Sequence, residues 1–184
     1  MDHFLEIRVL PDPEFTEETL MSALFAKLHR ALAAHKRGDI GVSFPAHDVK
    51  PGPVLRLHGT QTALHTLESL HWRTGLSDYC AVSAITQVSV IKGWRTVSRV
   101  QVKSSAGRLL RRSVKKGWIS ETEAVQRLEN SQEQRSDLPW LAVKSLSSGH
   151  HFRLFIRHGE LQPAATAGEF SCYGLSNTAT IPWF

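Results

Sequence analysis

Apolar residues recur in the first half of the chain at two spacings, which together predict six elements. Some stretches place an apolar residue at every second position, as half-buried strands do, and longer ones repeat every three or four positions, as helices do. Strands are predicted at residues 4–10, 40–44, 54–57 and 82–91, and helices at residues 16–32 and 60–70. The order β-α-β-β-α-β favours a ferredoxin-like α+β domain over residues 1–91.

The first helix has a defined start and one unusual residue near its end. Thr16 can cap it, and Glu17 and Glu18 lie where the positive end of a helix favours acidic side chains. Its apolar stripe includes Leu28, and His29 lies at the edge of that stripe. By position alone, His29 is more simply explained as a surface histidine.

The second half, residues 92–184, is predicted to form a second α+β domain that carries an arginine-rich helix. Alternation in its first strand puts Arg99, Gln101 and Lys103 on one face. The strands of this domain are predicted at residues 96–103, 141–144 and 152–157.

Two helices are expected between these strands. The first covers residues 105–116, and Gly117 can end it because glycine tolerates the left-handed C-terminal turn. The second extends to residue 128 and begins with Ser120 and Glu123, the spacing of a capping box. Polar loops are expected at residues 130–137 and 145–151.

One face of the first of these two helices carries only cations. They stand at positions i, i+3, i+4, i+7 and i+8, namely Arg108, Arg111, Arg112, Lys115 and Lys116. Leu109, Leu110 and Val114 line the opposite side and can pack on the protein. A solvated helix face usually mixes both signs, so this one favours a polyanionic partner that relieves the repulsion.

The charge of the whole chain supports the same partner. The net charge is +5, and 9 of the 22 lysine and arginine residues lie between Asp78 and Glu121, where no acidic residue occurs. Such asymmetry indicates nucleic acid first and an anionic membrane second. The membrane alternative is the weaker, because the apolar side of the helix is too small to anchor a protein.

Composition indicates a globular protein of the cytoplasm, and no cofactor is expected. Cys80 and Cys172 show neither the spacing of metal ligands nor a disulfide framework, which favours free thiols in a reducing compartment. The start of the chain does not have the pattern of a signal peptide, and no apolar run reaches the length of a bilayer.

Groove geometry narrows the polyanion to RNA. The major groove of A-form RNA is deep and narrow, so a helix can enter it only near the open end of a short stem. Arginine side chains can there bridge phosphates or reach guanine edges. Arg99 and Gln101 have the chemistry to read a guanine and an adenine edge, although an exposed sheet edge explains them equally well.

A series of short motifs accompanies these features along nearly the whole chain. Besides the basic helix they are Met-Asp-His at 1–3, Pro-Asp-Pro-Glu-Phe at 11–15, Lys-Leu-His at 27–29, Ile-Gly-Val-Ser-Phe-Pro at 40–45, Val-Ser-Arg-Val-Gln at 97–101, His-Phe-Arg-Leu-Phe-Ile-Arg-His-Gly at 151–159, Cys-Tyr-Gly-Leu-Ser at 172–176 and Pro-Trp-Phe at 182–184. In this order and spacing, the chain resembles the CRISPR RNA-processing endoribonucleases of the type I-F system.

The resemblance implies a fold and an activity. The fold is a ferredoxin-like N-terminal domain followed by a domain with the arginine-rich helix. The activity is recognition of the CRISPR repeat stem-loop and cleavage of pre-crRNA at the 3′ base of the stem, without a metal, which leaves a 2′,3′-cyclic phosphate. The resemblance further implies that the enzyme stays on the mature crRNA as a subunit of a type I-F crRNA-guided surveillance complex.

The resemblance also implies which residues act at the cleavage site. His29 would be the catalytic histidine, Ser145 would hold the nucleophilic 2′-hydroxyl, and Tyr173 would help to orient the histidine. Ser147 would lie in the same loop as Ser145. Phe152 would stack on the terminal base pair of the stem.

A second group of residues would bind the stem. Arg99 and Gln101 would read base edges low in the stem, and the other predicted contacts are Lys103, Arg108, Arg111, Arg112, Lys115 and Lys116. The basic stripe of the family ends in two arginines and a histidine, whereas this one ends in Lys115, Lys116 and Gly117. Lysine lacks the planar guanidinium with which arginine makes two parallel hydrogen bonds. Simple phosphate contacts are therefore expected in this last turn.

The chemistry can also be argued from the residues themselves. RNA can be cut by its own 2′-oxygen, and a histidine, which titrates near pH ~6.5, suits the proton transfer at neutral pH. Serine and tyrosine hydroxyls can orient both groups. The general acid for the 5′-oxygen is not evident, and His151 is only a weak candidate.

Three alternatives remain from the sequence. A two-metal nuclease needs clustered carboxylates, but Glu121 and Glu123 are better explained as residues of a helix start. A DNA-binding regulator would need a helix-turn-helix pattern, which is not evident. A catalytically silent RNA-binding subunit would share the fold and the basic helix, but it would not need His29, Ser145 and Tyr173 together.

Overall fold

The structure of the protein is a computed structural model that describes residues 1–101, 106–127, 137–145 and 149–184. Within residues 106–112 it describes the side chains of residues 110 and 111. Of the predicted RNA-binding residues, Lys103 and Ser147 lie outside the described residues, and so do the side chains of Arg108 and Arg112.

The N-terminal half forms an antiparallel sheet with two helices. In chain order its elements are β1 (His3–Val9), α1 (Glu17–His35), β2 (Gly41–Ser43), β3 (Val54–Gly59), α2 (Gln61–Glu68), β4 (Cys80–Val82) and β5 (Thr86–Gln87). The sheet has the order β2-β3-β1-β4, and β5 also pairs with β1. The α+β class is therefore confirmed, while the finer ferredoxin-like description remains a prediction.

Helix α1 forms where the sequence predicts it. The Thr16 hydroxyl accepts a hydrogen bond from the Thr19 backbone N–H, and Glu17 and Glu18 occupy the first turn. The helix ends at Lys36, which adopts a left-handed conformation with φ 55°. Its buried face includes not only the apolar stripe but also His29.

The predicted strand at residues 82–91 is wrong over most of its length. Only two short strands, β4 and β5, pair with β1, at opposite ends of it. Between them, Ser83 contacts the middle of β1 twice: its hydroxyl accepts from the Glu6 N–H at 2.9 Å, and its N–H donates to the Glu6 carbonyl at 2.9 Å. A serine side chain that bonds to the backbone competes with a regular ladder, which explains the interruption.

The C-terminal half forms a second antiparallel sheet. Its elements are β6 (Gly93–Val100), α3 (Ala106–Lys115), β7 (Trp140–Lys144), β8 (His151–His158) and β9 (Thr180–Trp183), and residues 121–127 are also helical. The strand order is β7-β8-β6-β9. Strand β9 was not predicted from the sequence because it contains Pro182, which is tolerated here since β9 lies at the edge of the sheet.

The two halves share one buried apolar cluster. It joins Leu28 of α1 with Leu141 of β7, Leu154 of β8 and Ile181 of β9. The Ser22 hydroxyl of α1 also accepts a hydrogen bond from a backbone N–H of β7 at 3.2 Å. Helix α1 therefore packs directly against the C-terminal sheet, and the division at residues 91 and 92 remains a prediction.

Among the helices of the described ranges, none combines the length and apolar character needed to cross a membrane.

Candidate functional site

His29 is a residue of α1, and groups from the C-terminal half hold its ring in a defined position. Its residue exposure is only 4%, and its ring stacks on that of Tyr173 at a centroid distance of 4.0 Å and an interplanar angle of 7°. Its Nδ1 lies 2.9 Å from the carbonyl oxygen of Cys172. Because a carbonyl only accepts, Nδ1 carries the hydrogen, and the neutral ring then has its lone pair on Nε2. In this tautomer, Nε2 is the ring nitrogen that can accept a proton.

A tight turn positions Tyr173. The Gly174 N–H donates to the Ser171 carbonyl at 2.8 Å, and the Gly174 carbonyl accepts from the Val42 N–H at 2.9 Å. Gly174 has φ +69°, and a Cβ there would lie 2.3 Å from Cγ2 of Val42, so only glycine fits. The turn therefore fixes Tyr173 against β2.

The Tyr173 ring is half-buried between aromatic and cationic neighbours. It lies parallel to the ring of Phe25 at a centroid distance of 6.3 Å. Burial raises the pKa of its hydroxyl, although the positive charge of Arg99 works in the opposite direction. The hydroxyl consequently stays protonated at neutral pH and can donate a hydrogen bond.

Arg99 approaches the same centre from β6. Its guanidinium carbon lies 5.7 Å from the centroid of the Tyr173 ring and 5.0 Å from that of Phe152. Strand register pairs Arg99 with the buried Ile156 of β8, so both side chains lie on the inward face of the sheet. We call His29, Tyr173, the Cys172 carbonyl and Arg99 together the His29 centre.

The structure separates two residues that the sequence places side by side. Arg99 belongs to the His29 centre, and its half-buried side chain is not on an exposed sheet edge. Gln101 is exposed and follows the last residue of β6. The two therefore occupy different environments, although they are only two positions apart.

Ser145 directly follows β7, and Phe152 is the second residue of β8. The Ser145 N–H donates to the His150 carbonyl at 2.9 Å, which closes the loop. Phe152 pairs across the sheet with Val143, two residues before Ser145. Because Arg99 contacts both Phe152 and Tyr173, a continuous set of contacts connects this hairpin end to the His29 centre.

Helix α3 carries its described cations on an exposed face. The side chains of Arg111 and Lys115, and of Lys116 directly after the helix, are exposed, while Leu110 and Val114 are half-buried. A groove between α3 and residues 121–127 is lined by Leu110, Arg111, Val114, Lys115, Glu121, Ala124 and Val125. The predicted division of this helix into a cationic and an apolar side is confirmed for these residues.

Both predicted helix ends around residue 117 are confirmed in detail. Gly117 has φ +70°, and the Gly117 and Trp118 N–H groups donate to the carbonyls of Val114 and Ser113 at 2.9 and 3.0 Å, which is a Schellman turn. The Ser120 N–H donates to the Glu123 carboxylate at 3.2 Å, and the Glu123 N–H donates to the Ser120 hydroxyl at 3.1 Å. This is the expected capping box.

The sequence did not identify the Cys172 carbonyl of the His29 centre, nor the contact of Phe25 with it. The Cys172 carbonyl is a backbone group, so no residue type could reveal it. Phe25 was assigned to the apolar stripe of α1, and its parallel packing on Tyr173 has no signal beyond that stripe. Across the described parts of the chain, no group of three or more His, Cys, Asp or Glu side chains is arranged to hold a metal ion.

The chain matches the family of CRISPR-associated proteins named Cas_Csy4 over residues 4–184. It belongs to the Cas_Csy4 family. It is 65% identical over 184 residues to the CRISPR-associated endonuclease Cas6/Csy4 of Escherichia coli (strain UTI89 / UPEC), with 100% of both chains covered. It is 46% identical over 187 residues to the CRISPR-associated endonuclease Cas6/Csy4 of Pseudomonas aeruginosa (strain UCBPP-PA14), again with 100% of both chains covered.

Membership in the Cas_Csy4 family confirms the resemblance that the motifs indicate and makes the chain a CRISPR-associated protein. The Escherichia coli and Pseudomonas aeruginosa relatives are full-length matches that carry the name endonuclease. The roles of individual residues in this Cas_Csy4 protein stay predictions.

Proposed function

We propose that the protein is an endoribonuclease that binds the stem-loop of a CRISPR repeat and cuts pre-crRNA at the 3′ base of the stem. The observation that carries the proposal is the buried His29, whose Nδ1 is engaged by the Cys172 carbonyl and whose ring rests on Tyr173. A histidine with one nitrogen engaged and the other left as a base is suited to proton abstraction. The names of the relatives support the class of enzyme.

In the proposed reaction, Nε2 of His29 takes the proton of the 2′-hydroxyl beside the scissile phosphate. The 2′-oxygen attacks phosphorus, the bond to the 5′-oxygen breaks, and the leaving 5′-oxygen takes up a proton from solvent, to which His29 then releases the proton of the 2′-hydroxyl. The products are a 2′,3′-cyclic phosphate and a 5′-hydroxyl. No metal ion is needed, because the RNA supplies the nucleophile and the protein supplies the base.

Four further side chains would act with His29 on the substrate. The Ser145 hydroxyl would hold the 2′-hydroxyl in line with the leaving oxygen. Such alignment of the reacting groups lowers the activation free energy substantially. Tyr173 would keep the imidazole plane fixed through stacking. Phe152, at the start of β8, would stack on the last base pair of the stem, and Ser147 would contribute from the same loop.

Recognition of the stem would combine base edges with phosphates. Arg99 has its guanidinium over two aromatic rings, which limits its motion and suits it to reading a guanine edge, and the exposed Gln101 suits an adenine edge. The phosphate contacts would come from Lys103, Arg108, Arg111, Arg112, Lys115 and Lys116. Because the described cations Arg111, Lys115 and Lys116 are exposed, affinity should fall steeply with salt.

We further propose that the protein stays on the mature crRNA as a subunit of a type I-F crRNA-guided surveillance complex. Contacts to the stem lie upstream of the cut and would survive cleavage, so the upstream product keeps its binding energy. The description of the family as CRISPR-associated supports such a partner.

The test is incubation of the purified protein, in excess chelator, with a labelled RNA that contains the repeat hairpin of its own genome. We expect one cut at the 3′ base of the stem, with a cyclic phosphate on the upstream product. Tight, salt-sensitive binding without a cut would instead assign the protein as a silent RNA-binding subunit. Activity lost in chelator and restored by magnesium would contradict the metal-free mechanism.

A further inference from the structure

Trp118, three residues beyond the last residue of α3, has an indole ring that is mostly open to solvent. Its exposure is 70%, compared with 8% for Trp72 in the core. Tryptophan is the side chain that gains most from contact with another surface, and its flat ring stacks readily on aromatic partners. The ring would therefore gain from a partner that is not part of this chain.

The turn after α3 explains why the ring is uncovered. In a Schellman turn, the residue after the glycine donates its N–H to a carbonyl in the last turn of the helix. Its side chain frequently packs on the side chain of the residue that carries this carbonyl. Here that residue is Ser113, which offers no apolar surface. Gly117 and the two hydrogen bonds of the turn fix the backbone of Trp118, so the ring is presented from a defined point.

The ring of Trp118 belongs to the cationic side of α3. The ammonium nitrogen of Lys116 lies 4.6 Å from its centroid. Lys115 and Arg111 belong to the same row of cations and are exposed, about one and two helical turns before Trp118. A flat aromatic surface beside a row of cations is the combination with which proteins bind unpaired nucleotides: the ring stacks on the base, and the cations bind the adjoining phosphates.

We propose that Trp118 is a stacking site for an unpaired nucleobase of the bound RNA. The inference rests on the proposed function, because the RNA must lie along α3. The base comes either from the hairpin loop or from a single-stranded flank, since both present a free aromatic face. Lys116 then acts as the cation beside the ring, and Gly117 forms the turn that presents it.

The first part of the test compares variants of Trp118 for binding of the repeat hairpin. Trp118→Ala and Trp118→Leu should weaken binding by about 5- to 150-fold, the range measured for loss of one base–aromatic stack. Trp118→Tyr keeps a flat ring and should retain most of the affinity. Val90→Ala, which truncates an apolar side chain of 69% exposure elsewhere, is the matched control and should bind normally. Thermal unfolding checks that each variant is folded.

The second part removes the base instead of the ring. Abasic substitutions are placed one at a time in the loop and in each flank of the hairpin. One of them should weaken binding to the wild-type protein but not to Trp118→Ala, and its position identifies the source of the base. The proposal is overturned if Trp118→Ala binds the hairpin normally. It is also overturned if every abasic substitution weakens binding to Trp118→Ala by the same factor as binding to the wild-type protein. Absence of hairpin binding by the wild-type protein would instead refute the proposed function.

Discussion

The His29 centre and helix α3 differ in how the protein holds them. His29 is buried on α1, with its ring and one ring nitrogen engaged by groups from a distant part of the chain. The described cations of α3 are exposed. Such a difference fits two tasks, because proton transfer needs fixed geometry, whereas binding to phosphates needs charge at the surface.

The two regions should therefore respond differently to substitution. A change in the His29 centre should alter the rate of cleavage in the bound complex and leave affinity intact. A change in α3 should alter affinity and its salt dependence and leave the rate at saturation intact. Variants of His29, Tyr173 and Lys115 test this division.

The largest effect is expected for His29→Ala. Loss of a general base typically costs about 100- to 10,000-fold in rate, so cleavage should fall by that range while hairpin affinity changes little. Single-turnover cleavage at saturating protein separates the two quantities. His65→Ala, an exposed histidine of α2, is the control and should cut normally. A wild-type rate in His29→Ala would remove His29 from the mechanism.

The stability of the protein body should depend on pH through the buried His58 and the half-buried His158 rather than through α3. Nε2 of His158 accepts a hydrogen bond from the Phe44 N–H at 3.2 Å, which joins β8 to the end of β2. Burial, assisted by His47 and Arg95, lowers the pKa of His158 to about 3. Burial, together with Arg56, also lowers the pKa of His58 to about 3.

Because these pKa values lie below that of an unfolded histidine, the unfolded chain binds more protons between pH about 3 and 6.5. Stability is thus complete above this window and is lost as pH falls, by about 1.4 kcal/mol per pH unit for each histidine. His158→Gln keeps a side-chain acceptor for the Phe44 N–H. In urea unfolding at pH 4–7, it should remove the contribution of one histidine from the pH dependence of the free energy of unfolding. His65→Gln should leave it unchanged, and an equal effect of both substitutions would contradict the assignment.

A moderate effect on rate is expected at Tyr173. Tyr173→Ala should slow cleavage by about 2- to 12-fold, since an aromatic pair is worth about 0.5–1.5 kcal/mol. Tyr173→Phe keeps the stacked ring and should cut faster than Tyr173→Ala. Single-turnover rates at saturating protein measure both. If the Phe and Ala variants are equally slow, the hydroxyl rather than the ring orients His29.

The smallest effect is expected for a single cation of α3. Lys115→Gln should weaken hairpin binding a few-fold and reduce the slope of log affinity against log salt by about 1, as for the loss of one phosphate contact. The rate at saturation should not change. Lys50→Gln, in an exposed ion pair with Glu18 near the start of α1, is the control with a wild-type slope. A slower rate at saturation in Lys115→Gln would break the division between the two regions.

Local signals in the sequence predicted much of the fold. The cap of α1, the Gly117 turn and the capping box at Ser120 depend on residues within a few positions of each other, so their chemistry can be read directly. The strand at residues 82–91 was wrong because a hydroxyl–backbone contact with β1, 77 residues away, interrupts the pairing. Strand β9 was missed because its edge position, which permits proline, is a tertiary property.

The candidate site was predictable by residue but not by arrangement. Motif resemblance indicated His29 and Tyr173, which the fold brings into contact across more than half of the chain. The Cys172 carbonyl and the inward direction of Arg99 follow from a turn and from strand register, and neither has a residue-type signal.

The most direct test of the His29 centre is a repeat hairpin in which one 2′-hydroxyl, that of the nucleotide just upstream of the cut, is replaced by hydrogen. We expect the protein to bind this RNA as tightly as the unmodified hairpin and to leave it uncut, because the nucleophile that His29 would activate is gone. Normal cleavage of the deoxy-substituted RNA would exclude attack by the 2′-oxygen and, with it, the assignment of His29 as the base.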